Sequence, residues 1–215
     1  ESIDLEALSR LIEYLIQNLT DYLVVLGTTA ETPTLTEEEK TEIKRFVVER
    51  TKGRIPLVLG LGGNNTRGII DHLKKDDFSG YDAILSVVPY YNKPSQEGIY
   101  QHYSAIAQAS KLPIILYNVL HAKEFPNIIA IKEASGNITQ MDDIIKNKPA
   151  DFMVISGDDG ITFPLLTLGA VGVISVIGNA FPKEFSKMVR LALNGDFHNA
   201  LSIHHRFTEL FSLLF

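Results

Sequence analysis

The sequence predicts a (β/α)8 barrel of the TIM type, and three observations carry that prediction. Seven short apolar runs rich in β-branched residues recur (22–26, 55–61, 83–88, 113–117, 128–131, 152–155 and 171–176), each bounded by Gly, Pro, Asn or Asp. Their hydrophobicity is nearly continuous rather than alternating, which is the pattern of strands covered on both faces of a parallel sheet. Helical patterns fall between them, and no doubly wound nucleotide fingerprint accompanies the repeat.

The elements justify themselves in order. Helical periodicity covers 5–18, 37–52 behind the cap-like Thr36, 66–75, 96–110, 139–147, 162–168 and 183–194, and a last helix starts at Phe197. Strand and helix therefore alternate from end to end, as parallel pairing requires. We read residues 1–215 as a single barrel domain, the helices from about 183 beginning a C-terminal helical extension. The count of runs is one short of eight, which suggests an incomplete barrel lacking its first strand and its last helices. A third gap is predicted in the crossover after the fifth barrel strand. Only fourteen residues separate Tyr117 from Lys132, part of them in strands, where a parallel crossover with its helix needs at least about ten to twelve. Residues are thus expected to be missing after Val119.

Composition narrows the function. With 45% hydrophobic and 21% charged residues the chain can bury a sizeable core. A net charge of −6 without any Lys/Arg run argues against nucleic acid as a partner. The chain has no cysteine, which excludes a disulfide framework and a thiolate nucleophile, and its six histidines lack metal-ligand spacing. No metal or other cofactor is expected. No apolar run approaches membrane length and no secretory signal is recognisable, so the expectation is a cytoplasmic protein without membrane contact.

The strand ends hold the chemistry. Lys132 closes Ile-Ile-Ala-Ile-Lys-Glu-Ala, placing an ammonium group after four apolar residues. Desolvation lowers a lysine's pKa and yields a neutral amine able to attack a carbonyl. The structural alternative is a lysine that snorkels to solvent or pairs with Glu133. Gly27-Thr28-Thr29-Ala30-Glu31 follows Leu-Val-Val-Leu and offers hydroxyls and backbone N–H groups to a carboxylate, or simply an ordinary turn. Tyr117-Asn118 and Pro89-Tyr90-Tyr91-Asn92-Lys93-Pro94 bring phenols to two further strand ends, as proton relays or as packing aromatics. The glycine-rich segment 60–65 lacks the endings of a dinucleotide fingerprint and of a P-loop. Ser156-Gly157-Asp158-Asp159-Gly160 reads better as a turn capping the next helix than as a metal loop.

Taken together, the segments 27–35 (Gly-Thr-Thr-Ala-Glu-Thr-Pro-Thr-Leu), 89–94, 115–119 (Ile-Leu-Tyr-Asn-Val), 131–136 (Ile-Lys-Glu-Ala-Ser-Gly) and 172–176 (Gly-Val-Ile-Ser-Val) resemble the dihydrodipicolinate synthase family of pyruvate-dependent aldolases, in the family's order. The resemblance implies condensation of pyruvate with L-aspartate 4-semialdehyde through a lysine Schiff base, on the route to diaminopimelate and lysine. It implies Lys132 as nucleophile, Tyr117 as proton shuttle, and Thr28 as the link to Tyr91, which in the family reaches over from a neighbouring subunit. Thr29 would hold the pyruvate carboxylate, Gly157 and Ile174 would line the pocket, and the assembly would be a homodimer or homotetramer. The family's Gly-Arg-Thr after Tyr-Asn-Val, whose arginine takes the second substrate's carboxylate, is replaced by Leu120-His121-Ala122. Ala30 stands where glycine is commoner, and Glu37 and Lys40 occupy the stretch that carries lysine-feedback histidines in some members. Competing readings are a lyase of N-acetylneuraminate or of a 2-keto-3-deoxy sugar acid, a non-catalytic truncated barrel, and a nucleotide-binding α/β domain resting on the glycine-rich turn.

Overall fold

The computed structural model describes residues 2–117 and 125–214. Among them the chain forms two compact units, one from residues up to 17 and 21–128, the other from 18–20 and 129 onward. The replacement of the family's arginine segment by Leu120-His121-Ala122, and the gap expected after Val119, lie outside the described residues.

The first unit contains helix α1 (Leu5–Gln17), strand β1 (Leu23–Val25), α2 (Glu37–Thr51), β2 (Leu57–Gly60), α3 (Thr66–Lys75), β3 (Ala83–Val87), α4 (Gln96–Ala109) and β4 (Ile114–Tyr117). Its strands pair in chain order and all in parallel: Leu23 lies opposite Leu57, Val58 opposite Ala83 and Ile84 opposite Ile114. Each helix start is written in the sequence. Thr36 and Glu39 form a reciprocal capping box on α2, with N···O distances of 2.8 and 3.2 Å. Asn65 caps α3 by accepting from Gly68 N, and Ser95 caps α4 by accepting from Gly98 N. Apolar residues at helical spacing then turn inward, so Ile12, Leu15 and Val47 join Leu23, Val25, Leu57 and Leu59 in one buried core. The glycines of segment 60–65 are explained by close backbone approach. A Cβ on Gly60 would stand 2.2 Å from the Leu26 carbonyl oxygen, and one on Gly62 would stand 2.5 Å from Val87 N. That accounts for the glycine-rich turn without a nucleotide.

The second unit contains β5 (Ile128–Glu133), α5 (Ile138–Asn147), β6 (Met153–Ser156), α6 (Thr162–Leu168), β7 (Gly172–Val173), α7 (Pro182–Leu193) and α8 (Phe197–Phe211). Its strands are again parallel and sequential, with Lys132 opposite Ile155 and Ser156 opposite Val173. Met141, Leu165, Phe185, Met188 and Phe207 form its core, all 5% exposed or less. The Arg190 guanidinium donates to the Leu19 carbonyl at 2.7 Å, which ties residues 18–20 to this unit.

Two element ends differ from the sequence prediction. β5 runs to Glu133, two residues beyond the apolar run, because Glu133 continues the ladder opposite Ser156. Lys132 therefore sits within the strand rather than after it. β7, expected over 171–176, keeps only two residues. Beyond it the chain bends into a 3-10 turn at Ile177–Asn179, because the Asp159 carboxylate accepts the N–H groups of Val176 (2.9 Å) and Ile177 (2.8 Å). Among the described residues there are seven strands, as many as the sequence pattern predicts. By chain count, residues 118–127 separate β4 from β5, ten against fifteen or more in every other strand-to-strand connection.

Candidate active site

In the second unit the site is built around Lys132. Alternation along β5 puts Ala130 and Lys132 on one face and Ile131 and Glu133 on the other. Glu133 is fully buried, with Oε1 accepting from Ser135 N at 2.7 Å and Oε2 lying 3.5 Å from Gln140 Nε2 of α5. It thus belongs to the helix side of the strand, and a Lys132–Glu133 pair is ruled out by the pleat. Snorkelling is ruled out as well, since Lys132 is only 8% exposed. Burial lowers its pKa to about 8, while the negative charge of Asp159 works in the opposite direction. Roughly a tenth of the lysine is then neutral amine at pH 7, against about 0.03% for an unshifted side chain.

Gly157 shapes the channel that the lysine stem occupies. Its N–H donates to the Glu133 carbonyl at 2.7 Å, which extends the β5–β6 pairing by one residue. A methyl group on it would come within 2.8 Å of Lys132 Cε, 3.0 Å of Cγ and 2.7 Å of Ala134 Cβ. Only glycine leaves room for the stem. Ile174 follows β7, held by its N–H on the Ser156 carbonyl at 2.9 Å.

The turn after β6 does not cap the next helix as the sequence suggests. Asp158 Oδ1 accepts from Gly160 N at 2.8 Å, a local turn bond, and the N-cap of α6 is Ile161, with no side-chain cap. Ser156 and Thr162 are buried with their hydroxyls 3.0 Å apart, both next to the Asp158 carbonyl. Asp159, which the sequence reading placed in a turn, is 3% exposed. It is the group the sequence reading missed. Its signal was a second carboxylate two residues past a strand-end Ser-Gly, too far along to be that turn's own bond.

In the first unit Tyr117 ends β4, half-buried, and shares a hydrogen bond with the Thr28 side chain. Burial raises the phenol's pKa and the Thr28 bond lowers it, the former prevailing. Thr28 and Thr29 lie exposed in the 3-10 turn Thr28–Ala30 that follows β1. The turn is locked by Thr32, whose hydroxyl lies 3.0 Å from both the Leu26 and the Gly27 carbonyls, and by Glu31 in the left-handed region at φ 50°. Tyr91 is brought to none of these groups within its own chain. It is 90% exposed, on a backbone at φ 68°. The structure therefore forms the Tyr117–Thr28 half of the expected relay and leaves Tyr91 facing outward.

Among the described residues no three His, Asp or Glu side chains are grouped so as to hold a metal ion. No described helix is long and apolar enough to cross a membrane.

The sequence matches the profile of the Dihydrodipicolinate synthetase family over residues 1–215. It is 71% identical to 4-hydroxy-tetrahydrodipicolinate synthase of Parabacteroides distasonis and 68% identical to that of Phocaeicola vulgatus, covering all of this chain and 77% of each relative. The first of these alignments spans 229 residues against 215 in the chain, so at least 14 positions of that relative have no counterpart here. Among solved structures, dihydrodipicolinate synthase from Aquifex aeolicus superposes with a TM-score of 0.94 at 42% identity, over 99% of this chain and 78% of that one. The α/β barrel architecture read from the strand pattern is the architecture of these relatives, and this chain belongs to the dihydrodipicolinate synthetase family.

Proposed function

We propose that the chain is a Schiff-base-forming 4-hydroxy-tetrahydrodipicolinate synthase that condenses pyruvate with L-aspartate 4-semialdehyde in the cytoplasm, on the route to diaminopimelate and lysine. The observation that carries this reading is the buried Lys132, its pKa lowered to about 8 and its stem laid against Gly157. Its neutral amine attacks C2 of pyruvate, and loss of water from the carbinolamine leaves a cationic imine. That cation takes up the electron pair when a C3 proton departs, and the resulting enamine attacks the aldehyde carbon of the second substrate through C3. Tyr117, with Thr28 bonded to it, moves protons at the imine, and Thr29 receives the pyruvate carboxylate. Gly157 and Ile174 line the pocket.

Tyr91 enters through assembly. A phenol 90% exposed on a constrained backbone is available to a second copy of the chain, and a homodimer or homotetramer completes the relay with it.

The competing lyase reading is tested by substrate. We expect consumption of pyruvate in the presence of aspartate 4-semialdehyde and none of N-acetylneuraminate. Cleavage of N-acetylneuraminate alone would overturn the assignment. Because Leu120-His121-Ala122 follows Tyr-Asn-Val in place of the Gly-Arg-Thr that the family resemblance implies, the KM for aspartate 4-semialdehyde is expected to be raised far more than that for pyruvate.

A further inference from the structure

Asp159 has an environment that a structural role does not explain. The Ser175 side chain hydrogen-bonds the carboxylate, and its Oδ2 accepts two backbone N–H groups, from Val176 and Ile177, which fixes it at the turn after β7. An asparagine carbonyl could satisfy both. The other oxygen, Oδ1, is buried without a hydrogen-bond partner among the described residues. Leaving a buried acceptor unpaired is unfavourable, and more so when it is charged. Such an oxygen makes sense where a positive charge faces it across the site. Lys132 is placed to provide that charge: its stem packs on Gly157, two residues before Asp159, and its ammonium feels the Asp159 charge.

The surrounding elements contain little else that is ionisable. Asp158, in the same turn, carries a charge of the same sign and so cannot serve. Glu133 of β5 lies on the helix side of the strand, bonded to Ser135 N. From Ile161 through Pro182, which covers α6, β7 and the 3-10 turn, the sequence has no titratable side chain.

We propose that Asp159 is a positioning residue for the imine chemistry, the fixed counter-charge of the cationic forms of the Lys132 nitrogen. It favours the ammonium of the free enzyme and the cationic imine alike. No bond is made or broken at Asp159 itself. Burial pushes the carboxyl upward against the hydrogen bonds from Ser175, Ile177 and Val176, so a facing cation is what would favour its ionised form. The proposal rests on the reading of Lys132 as the imine-forming residue.

The test follows imine formation against pH, by borohydride trapping with pyruvate and intact mass, in the wild type and in Asp159→Asn, Asp159→Ser and Asp159→Glu. Without the counter-charge the lysine loses its proton more readily. The inflection of imine formation should then move to lower pH by about one unit in the Asn and Ser variants, equivalent to a roughly tenfold change in proton affinity. Trapping above the inflection should fall several-fold, because the cationic imine has lost its partner. Asp159→Glu, which keeps the charge, should hold the wild-type inflection even if its rate drops. A lost turn anchor alone would lower thermal stability and leave the inflection in place, and that result overturns the proposal. So does failure of both charge-free variants to fold, which would make the role structural. A wild type that traps no pyruvate at Lys132 refutes the underlying reading instead, so the two failures are distinct.

Discussion

The turn after β6 and the segment from Val88 to Ser95 both follow strand ends, yet they treat their functional side chains in opposite ways. At the first, Asp159 and the neighbouring Lys132 of β5 are buried and the backbone holds them: Gly157 N on the Glu133 carbonyl, Val176 and Ile177 N–H on the carboxylate. In the second, Tyr90 and Tyr91 are 55% and 90% exposed, and the backbone at Tyr91 and Lys93 is held in the left-handed region. A covalent nucleophile needs desolvation, which one chain can supply by itself. A side chain proposed to serve another copy, as Tyr91 is, must stay outside its own core.

The largest effect that separates the two regions is removal of the amine. Lys132→Met should abolish imine formation and lower kcat by about 10⁴-fold or more, while raising stability. The folded-state pKa of Lys132, about 8, lies below its ordinary 10.5. Burial of the ammonium therefore costs the folded state in full below pH 8, progressively less from pH 8 to 10.5, and nothing above. The methionine variant should be more stable by up to about 3 kcal/mol at pH 7, an advantage that chemical denaturation should show vanishing as the pH passes 10.5. A pH-independent difference would mean that the lysine is not desolvated.

Next in size is Gly157→Ala. With a methyl group 2.8 Å from Lys132 Cε, the stem must shift, and a displacement near 1 Å at a reacting group costs about 10²-fold in rate. Stability should fall by about 1–3 kcal/mol from overpacking. Wild-type trapping rates in this variant would show that the channel is wider than the geometry indicates.

The smallest effect compares the exposed Tyr91 with the half-buried Tyr117. Tyr117→Phe and Tyr91→Phe should each reduce turnover by about 10–10²-fold through the proton relay, but only the Tyr91 effect should depend on assembly. Light scattering and turnover measured over a dilution series should fall together in the wild type. Turnover that survives in monomers would place Tyr91 outside the relay.

Much of this was legible in the sequence, and the exceptions have physical reasons. The strands stood out because burial on both faces demands uninterrupted apolar runs, and helix 37–52 because Thr36 caps it locally. Lys132 was visible because an ammonium after Ile-Ile-Ala-Ile breaks the pattern. The shortening of β7 was not visible, since it comes from a carboxylate 17 and 18 residues away in the chain. Asp159 was hidden for the same reason: next to Asp158 and Gly160 it reads as turn chemistry, and only the fold reveals that its partners are distant. The outward setting of Tyr91 depends on backbone angles that the motif Pro-Tyr-Tyr-Asn-Lys-Pro does not announce.

The most direct test of the central claim is borohydride reduction of the folded wild-type protein with pyruvate, followed by peptide mass mapping. The account predicts one pyruvate-derived adduct, on the peptide carrying Lys132, with a yield that rises with pH through an inflection near 8. No adduct, or an adduct spread over surface lysines with Lys132 unmodified, would contradict it.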